Sequence, residues 1–334
     1  MRNQGICVVF IEGVNIMLTL RRVLQRVNVT DRAGTSSDTA TLMIDDKDGL
    51  VAFPRHNAKI TIYMGFRELG VAQVFSGTID EVRSTGGRSG TYIEVSAKGL
   101  DTSGKAKEPQ QRHFDNMTIE AMIRAAGAHA GITDIRIDPD IGTITRNYEH
   151  MDDESFIAFG ERLARELGGT FKIRNDAAIM VRKNANKAPS GDTLPPIVAA
   201  RGENLHSWDI TPYIGRARYK EIRVRYYDRD QARHDEVVVE TEIEGSRAIA
   251  VGRFEAPNRQ TAEEMANALK SESERGSGVG KIIIEGNAAA QPEAACILTG
   301  ARISVTGAYV ISGVEHTYSR SSGFVTKLHL AHPL

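Results

Sequence analysis

The chain of 334 residues holds only two cysteines, one tryptophan, ten prolines and 6% aromatic residues. Each scarcity excludes something. Cys7 and Cys296 lie far apart in sequence, so they make neither a disulfide framework nor a zinc site, which needs closely spaced ligands. A reducing compartment during folding is the default. Charge of one sign is also missing. Lys and Arg number 42 against 43 Asp and Glu, a formal net charge of −1, which argues against the basic surface of a strongly DNA-binding protein. Long hydrophobic runs are absent too. Ile6 to Ile11 is too short for a signal peptide and is interrupted by Glu12-Gly13. No stretch approaches the ~18 apolar residues of a membrane span. A soluble chain with no readable address is expected.

Catalytic signatures are equally sparse. There is no Gly-x-Ser-x-Gly elbow, no Ser-x-x-Lys, and no Walker or Gly-x-Gly-x-x-Gly loop opening a helix. The run Gly276-Ser277-Gly278-Val279-Gly280 follows a helix and precedes a strand, the wrong order for cradling phosphate, and reads as a helix stop and turn. Asp45-Asp46-Lys47-Asp48-Gly49 lacks the alternating ligands and distal Glu of a calcium loop and reads as an acidic turn. His329 and His332 read as solvated strand-end residues. Asp152, Asp153 and Glu154 read as charges complementing a helix N-terminus. Arg216, Arg218, Lys220, Arg223, Arg225 and Arg229, with Tyr219, Tyr226 and Tyr227, read as one charged strand face or a subunit contact rather than a nucleic-acid surface. No catalytic, cofactor-binding or metal-binding residue is assigned, and no enzyme activity is expected.

What is present is globular and mainly β. The hydrophobic set is 41% and charged residues are 25%, which excludes wholesale disorder. The length allows two or three domains of ~100–200 residues. Residues 1–105 read as short alternating strands with turn signals: Cys7 to Ile11, Leu24 to Thr30, Thr39 to Ile44, Lys59 to Met64, Val74 to Val82 and Tyr92 to Ala97, with a polar loop from Asp31 to Asp38. That spacing suggests a barrel or sandwich. Residues 106–185 read as an α+β insertion opened by a boundary at Pro109. Its first helix carries Ile119, Met122, Ile123 and Ala126, with Asn116 or Asp115 as cap and Gly131 as stop. Its second carries Phe156, Phe159, Leu163 and Leu167, with Asp152 or Asp153 as cap. Residues 186–199 form a linker. Residues 200–334 read as a second β-domain with one helix, started by the capping-box spacing of Thr261 and Glu264.

The ends of the chain carry a weak internal repeat. Ala58-Lys59-Ile60-Thr61-Ile62 matches Ala301-Arg302-Ile303-Ser304-Val305 in chemistry, and Phe75-Ser76-Gly77 matches Ile311-Ser312-Gly313. Either two hairpins look alike by chance, or one β-module is duplicated at the two ends. The second reading predicts a shared fold in which Ile60 aligns with Ile303 and Gly77 with Gly313.

Taken in order, the segments resemble the late control protein D family of contractile-tailed phages. The resemblance rests on Ser37-Asp38-Thr39-Ala40 running into the Asp45–Gly49 turn, on Lys59-Ile60-Thr61-Ile62, and on Val74 through Val82. It continues with Ala97-Lys98-Gly99-Leu100 and Lys107-Glu108-Pro109, with Asp153-Glu154-Ser155-Phe156 through Gly168-Gly169, and with Gly307 through His316 and Gly323 through Leu328. It covers residues 8 to 332. It implies a baseplate hub related to those of tail-like bacteriocins and to VgrG-type spikes. The implied architecture is two tube-like β-barrel or sandwich modules flanking a small α+β domain. The implied assembly is a homotrimer joining the tail tube protein to a central spike protein and contacting baseplate wedge and tape measure proteins. It would line a channel for DNA without specific nucleic-acid binding or membrane insertion, in a virion tail assembled in the bacterial cytoplasm. Two other functions compete: a tail-associated peptidoglycan hydrolase or cell-wall-binding module, and the hub of a non-phage contractile injection system.

Overall fold

The computed structural model describes residues 4–33, 37–88, 90–99, 104–174, 177–183, 186–188, 190, 192–211, 219–229, 231–241, 246–274 and 279–333. The first segment runs β1 (Gly5–Ile11), β2 (Val14–Asn15), α1 (Met17–Leu20), β3 (Leu24–Arg32), β4 (Thr39–Asp45), β5 (Lys59–Phe66), β6 (Gly70–Gly87) and β7 (Gly90–Lys98). Val27, Val29, Leu42, Ile44, Ile60, Ile62, Ile93 and Val95 alternate along these strands. Their side chains therefore share one face, and the curled sheet gathers them into a single core with Val9, Met64 and Ile79. The strand order is β3-β4-β7-β6-β5-β1.

The chain then forms β8 (Pro109–Thr118), α2 (Ile119–His129), β9 (Asp134–Ile137), α3 (Pro139–Gly142), β10 (Thr145–Ser155), α4 (Phe156–Glu166), β11 (Gly169–Arg174) and β12 (Ala177–Arg182). The pair β8–β10 and the sheet β11-β12-β9 enclose a separate core, in which Ile119, Met122, Ile123, Phe156, Phe159 and Leu163 meet Phe171. Complete burial of one such side chain contributes about 1.5–3 kcal/mol. The helix faces are those expected, but the caps are not. Thr118 and Ser155 accept the N–H of Ala121 and Ala158, both at 3.2 Å. The expected caps sit upstream in strands: Asn116 and Asp153 take left-handed backbone, at φ 50° and 48°, and Asp153 lies in a register shift of β10. Pro109 is the first residue of a strand, where its missing N–H is tolerated.

The final segment runs β13 (Ile197–Ala200), β14 (Leu205–Thr211), β15 (Tyr219–Asp228), β16 (Arg233–Glu240), β17 (Ala248–Val251), α5 (Arg259–Glu274), β18 (Val279–Glu285), β19 (Ala295–Thr299), β20 (Gly307–Ser319) and β21 (Gly323–Pro333). The structure divides these between two sheets. The order β16-β15-β17 stands alone, with α5 packed over Val224 and Tyr226. Residues 219–274 are thus a small α+β unit inserted between β14 and β18, not part of the second β-core expected over 200–334. Alternation alone could not reveal this, because it does not say which sheet a strand joins. The expected linker likewise contains the start of β13. Asn258, not Thr261, accepts the N–H of Thr261 at 2.9 Å and caps α5. Thr261 is buried.

The remaining strands, β13, β14, β18, β19, β20 and β21, follow the order β14-β18-β21-β20-β19-β13 around their own core. Strand for strand in chain order, this matches β3-β4-β7-β6-β5-β1. The match extends to single hydrogen bonds. Asn57 and Ala58 exchange bonds with Ile79 (Asn57 N to Ile79 O, Ile79 N to Ala58 O, both 3.0 Å). Glu293 and Ala294 do the same with Ile311, at 2.8 and 2.9 Å. Asn57 and Glu293 both hold positive φ, at 61° and 71°. From these points the cross-strand ladders run in step. One is Ile79, Ala97, Ala40, Val29. The other is Ile311, Leu330, Gly280, Ile210. Register shifts fall at matching places, Leu24/Arg26 with Leu205/Ser207 and Ile79/Glu81 with Ile311/Gly313. The modules also differ: β1 runs antiparallel to β5, whereas β13 runs parallel to β19, and the register shifts at Ile62/Tyr63 and Tyr309/Ile311 each occur in one module only.

The residue pairs read from the sequence are therefore corrected. Ile60, fully buried in β5, has no counterpart in Ile303, which is 93% exposed in a turn. The ladder instead sets Ile60 against Cys296, and Glu81 rather than Gly77 against Gly313.

Candidate assembly surface

The two β-modules join edge to edge within the chain. β3 and β20 pair antiparallel from Arg26↔Ser319 to Arg32↔Gly313, making one sheet of thirteen strands. Thr317 Oγ1 donates to Asn28 Oδ1 across the junction at 2.8 Å. Beside it, Glu315 accepts from Lys327 Nζ at 2.9 Å and pairs with His329 Nε2 at 2.7 Å and Arg32 Nη2 at 3.5 Å. Burial pushes the Glu315 carboxyl up, but Lys327 and His329 outweigh it and hold it below the usual range. His329 is thus hydrogen-bonded to a carboxylate and half-buried, not the solvated residue expected. The His332 side chain lies outside the described residues. His316, buried next to this group, is held neutral by burial, its pKa lowered to about 4.

A second charged group ties the middle unit to the first module. Lys172, on β11, reaches between Asp31 and Asp38. Arg174 lies 3.8 Å from Asp31 and 3.6 Å from Asp38. Burial, and then the Asp31 charge, raise Asp38 to about 6 against the pull of Lys172 and Arg174. The ends of the expected polar loop 31–38 are therefore buried partners of a residue far along the chain.

A third group links the two α+β units. Buried Arg146 on β10 pairs with Glu149, with Glu166 of α4 at 2.7 Å and with Glu264 of α5 at 3.5 Å. Arg162 extends the network to Glu149 and Glu154, both at 2.9 Å. Glu264, expected in a capping box, is spent on this contact.

The carboxylates Asp152, Asp153 and Glu154 line an open cleft with His150 and Arg162. Asp153 accepts from Gln111 at 3.0 Å, and Glu154 is held by Arg162. Ser155 also lines the cleft, where its hydroxyl is engaged as the cap of α4, accepting from Ala158 N at 3.2 Å. Among the described residues, no group of three or more His, Cys, Asp or Glu is placed to hold a metal ion. Cys7 and Cys296 are free and buried, and burial pushes both thiols up to about 12. In the turn at 45–49, Asp45 Oδ1 accepts from Lys47 N at 3.1 Å and Asp46 Oδ1 from Val51 N at 3.0 Å.

The basic run divides along β15. Ile222, Val224 and Tyr226 are buried, while Arg223 and Arg225 take the opposite face. Arg223 is neutralised by Glu221 at 2.7 Å and by Glu236 at 3.7 Å. Arg216 and Arg218 lie outside the described residues, as do Gly276 to Gly278.

What the molecule offers most plainly is unpaired sheet edge. Among the described strands, β14 has β18 on one side and no strand on the other, and β6 beyond Ile79 pairs only with β7.

Comparison with known proteins agrees with this picture. Residues 39–322 match the family model of the phage tail baseplate hub (GPD). A probable baseplate hub protein of Escherichia phage P2 is 24% identical over 182 residues, covering 54% of this chain and 46% of that protein. The chain spans about half the length of the curated relatives it matches. Among solved structures, the tail protein from Neisseria meningitidis MC58 superposes with a TM-score of 0.73 at 13% identity, covering 98% of this chain and 97% of that one. The 43 kDa tail protein of prophage MuSo2 from Shewanella oneidensis gives 0.73 at 14%, covering 98% of each chain. A type VI secretion system component from E. coli gives 0.57 at 10%, covering 98% of this chain and 76% of that one. With the match extending over most of its length, this chain belongs to the phage tail baseplate hub family.

Proposed function

We propose that the chain works as a structural hub in the baseplate of a contractile phage tail or tail-like particle. Three copies form a ring of six β-modules around a channel, with the tail tube on one side and a central spike on the other. The observation that carries this reading is the repeat: two modules of one strand order, already joined edge to edge, with matching edges left open among the described strands. Exposed edges of this length are an aggregation hazard unless neighbours cover them. A head-to-tail contact that repeats such a junction generates a closed ring.

The two α+β units enter where β7 and β14 end, and these ends lie at the same end of the sheet. The other end bears neither unit and suits a six-fold tube, while the end bearing the insertions is three-fold and suits a spike. Wedge proteins and a tape measure protein would meet the outside and the channel. The near-zero net charge removes the general attraction that supplies nonspecific DNA binding, so the channel passes the genome without retaining it. The hub catalyses nothing, and it is built into the tail in the bacterial cytoplasm.

A second reading, the hub of a non-phage injection system, is favoured by the fold shared with the type VI secretion component. Both readings share the ring. Electron microscopy of the purified protein, with native mass spectrometry, is expected to show a three-fold ring of three chains. A dimer overturns the hub reading, as does a lytic zone on a peptidoglycan gel.

A further inference from the structure

The junction inside the chain specifies the contact between chains, residue by residue. Val29 on β3 faces His316 on β20. The ladders place Ile210 of β14 where Val29 sits in the first module, and Ile79 where Ile311 sits in the second. His316 lies five residues beyond Ile311, and Ser84 lies five beyond Ile79. The register shifts match on the way, so the count carries across.

We propose that the free edge of β14 pairs antiparallel with the free stretch of β6 in a second copy of this chain, with Ile210 opposite Ser84. The same register sets Thr211 opposite Arg83, Asp209 opposite Thr85, Trp208 opposite Gly86 and Ser207 opposite Gly87. This proposal rests on the ring of the preceding section and names the strands that close it.

Three observations support the register. Thr85 takes the place of Thr317 and Asp209 that of Asn28. The hydroxyl-to-side-chain bond made at 2.8 Å inside the chain therefore has its donor and acceptor chemistry repeated between chains. Exposure differs where a partner is missing. Val27 is fully buried and its counterpart Trp208 is 37% exposed. Val314, His316 and Ser319 are buried, whereas Ser84 and Gly87 are exposed and Val82 is only half-buried. Size complements size as well. The internal pair is Val27 with Tyr318; the external pair is a large Trp208 against Gly86, whose missing Cβ leaves the indole room.

The test uses the full chain with two pairs of substitutions. Asp209→Cys with Thr85→Cys places thiols opposite one another at the seam. Asp209→Cys with Arg83→Cys places them two residues out of register, beyond disulfide reach. The native cysteines are buried and stay out of the reaction. Mild oxidation is expected to link the first pair into covalent dimers and a closed trimer on a non-reducing gel, and to leave the second unlinked. Emission from Trp208, the one tryptophan, is expected to shift to the blue as concentration drives assembly. If native mass shows three chains but the first pair does not link, or the second links instead, the seam is wrong and the ring stands. If the wild-type chain remains monomeric up to the highest concentration measured, both fall.

Discussion

Replacing Lys172 by Met removes the nearer and more buried of the two cations at Asp31 and Asp38 and keeps most of the side-chain volume. The side chains of Lys172, Asp31 and Asp38 are 12%, 11% and 6% exposed, so solvent screens them little. At an effective dielectric of ~20, unit charges 4 Å apart interact by about 4 kcal/mol. Breaking a buried pair by removing one partner costs about 3–5 kcal/mol. Arg174 remains at 3.8 and 3.6 Å from the two acids, but it is more exposed and compensates only in part. The loss has a ceiling that depends on pH, because the variant can protonate Asp38 instead. With Asp38 at about 6 in the native chain, that escape costs ~3 kcal/mol at pH 8 and almost nothing at pH 6. Lys172→Met is therefore expected to lose about 3 kcal/mol at pH 8, the lower end of the range for a broken buried pair, and much less at pH 5. Urea unfolding followed by circular dichroism at pH 5, 6.5 and 8 measures it. A loss that is the same at all three values, or absent at pH 8, refutes the argument that Lys172 balances two ionised acids.

Three further outcomes are expected. Asp38→Asn changes the acid response through His316. Burial holds His316 at about 4, so the unfolded chain takes up that proton first, and stability is lost as pH falls from 6.5 towards 4. Asp38 works the other way, because its folded pKa of about 6 lies above its ordinary 3.8 and acid relieves it. The variant keeps the loss without the relief, and its melting temperature should fall more steeply over this range than that of the wild type. Phe159→Asp buries a carboxylate in the middle unit, where Phe114 stacks at 5.6 Å and the nearby Arg162 is already shared among Glu149, Glu154 and Glu166, and should cost several kcal/mol; unchanged thermal stability would show that the side chain escapes to water. Gly160→Ala sets a methyl 2.6 Å from the Phe171 ring and should cost about 1–3 kcal/mol by overpacking, read as a lower urea midpoint.

The strands of the first module were legible because Val27, Val29, Leu42 and Ile44 alternate against one core, so periodicity alone identifies them. The antiparallel pair β8–β10 was not. Its residues are mostly exposed, which leaves the pattern without amplitude, and Pro109 looked like a boundary when it opens a strand. The buried pairing of Asp31 and Asp38 with Lys172 spans about 140 positions and has no local signal. The repeat taught a different lesson. Its existence could be suspected from the sequence, yet the matched blocks were the wrong ones. Ile60 and Cys296 share a place in the ladder and little chemistry, whereas Ile60 and Ile303 share chemistry and no place. Hydrogen-bond register survives side-chain divergence because it is made by the backbone.

The junction of β3 with β20 also limits how such chains can be counted. In any ring built from them, every second seam is closed before two chains meet. Its halves are held at the high effective concentration that a covalent tether provides. Each chain adds two modules at once, so a ring of five or seven modules cannot form, and the two kinds of module must alternate without exception. An error in stoichiometry would have to miss by a whole chain, a far larger mismatch in diameter than a single module, and correspondingly easier for a closed ring to reject.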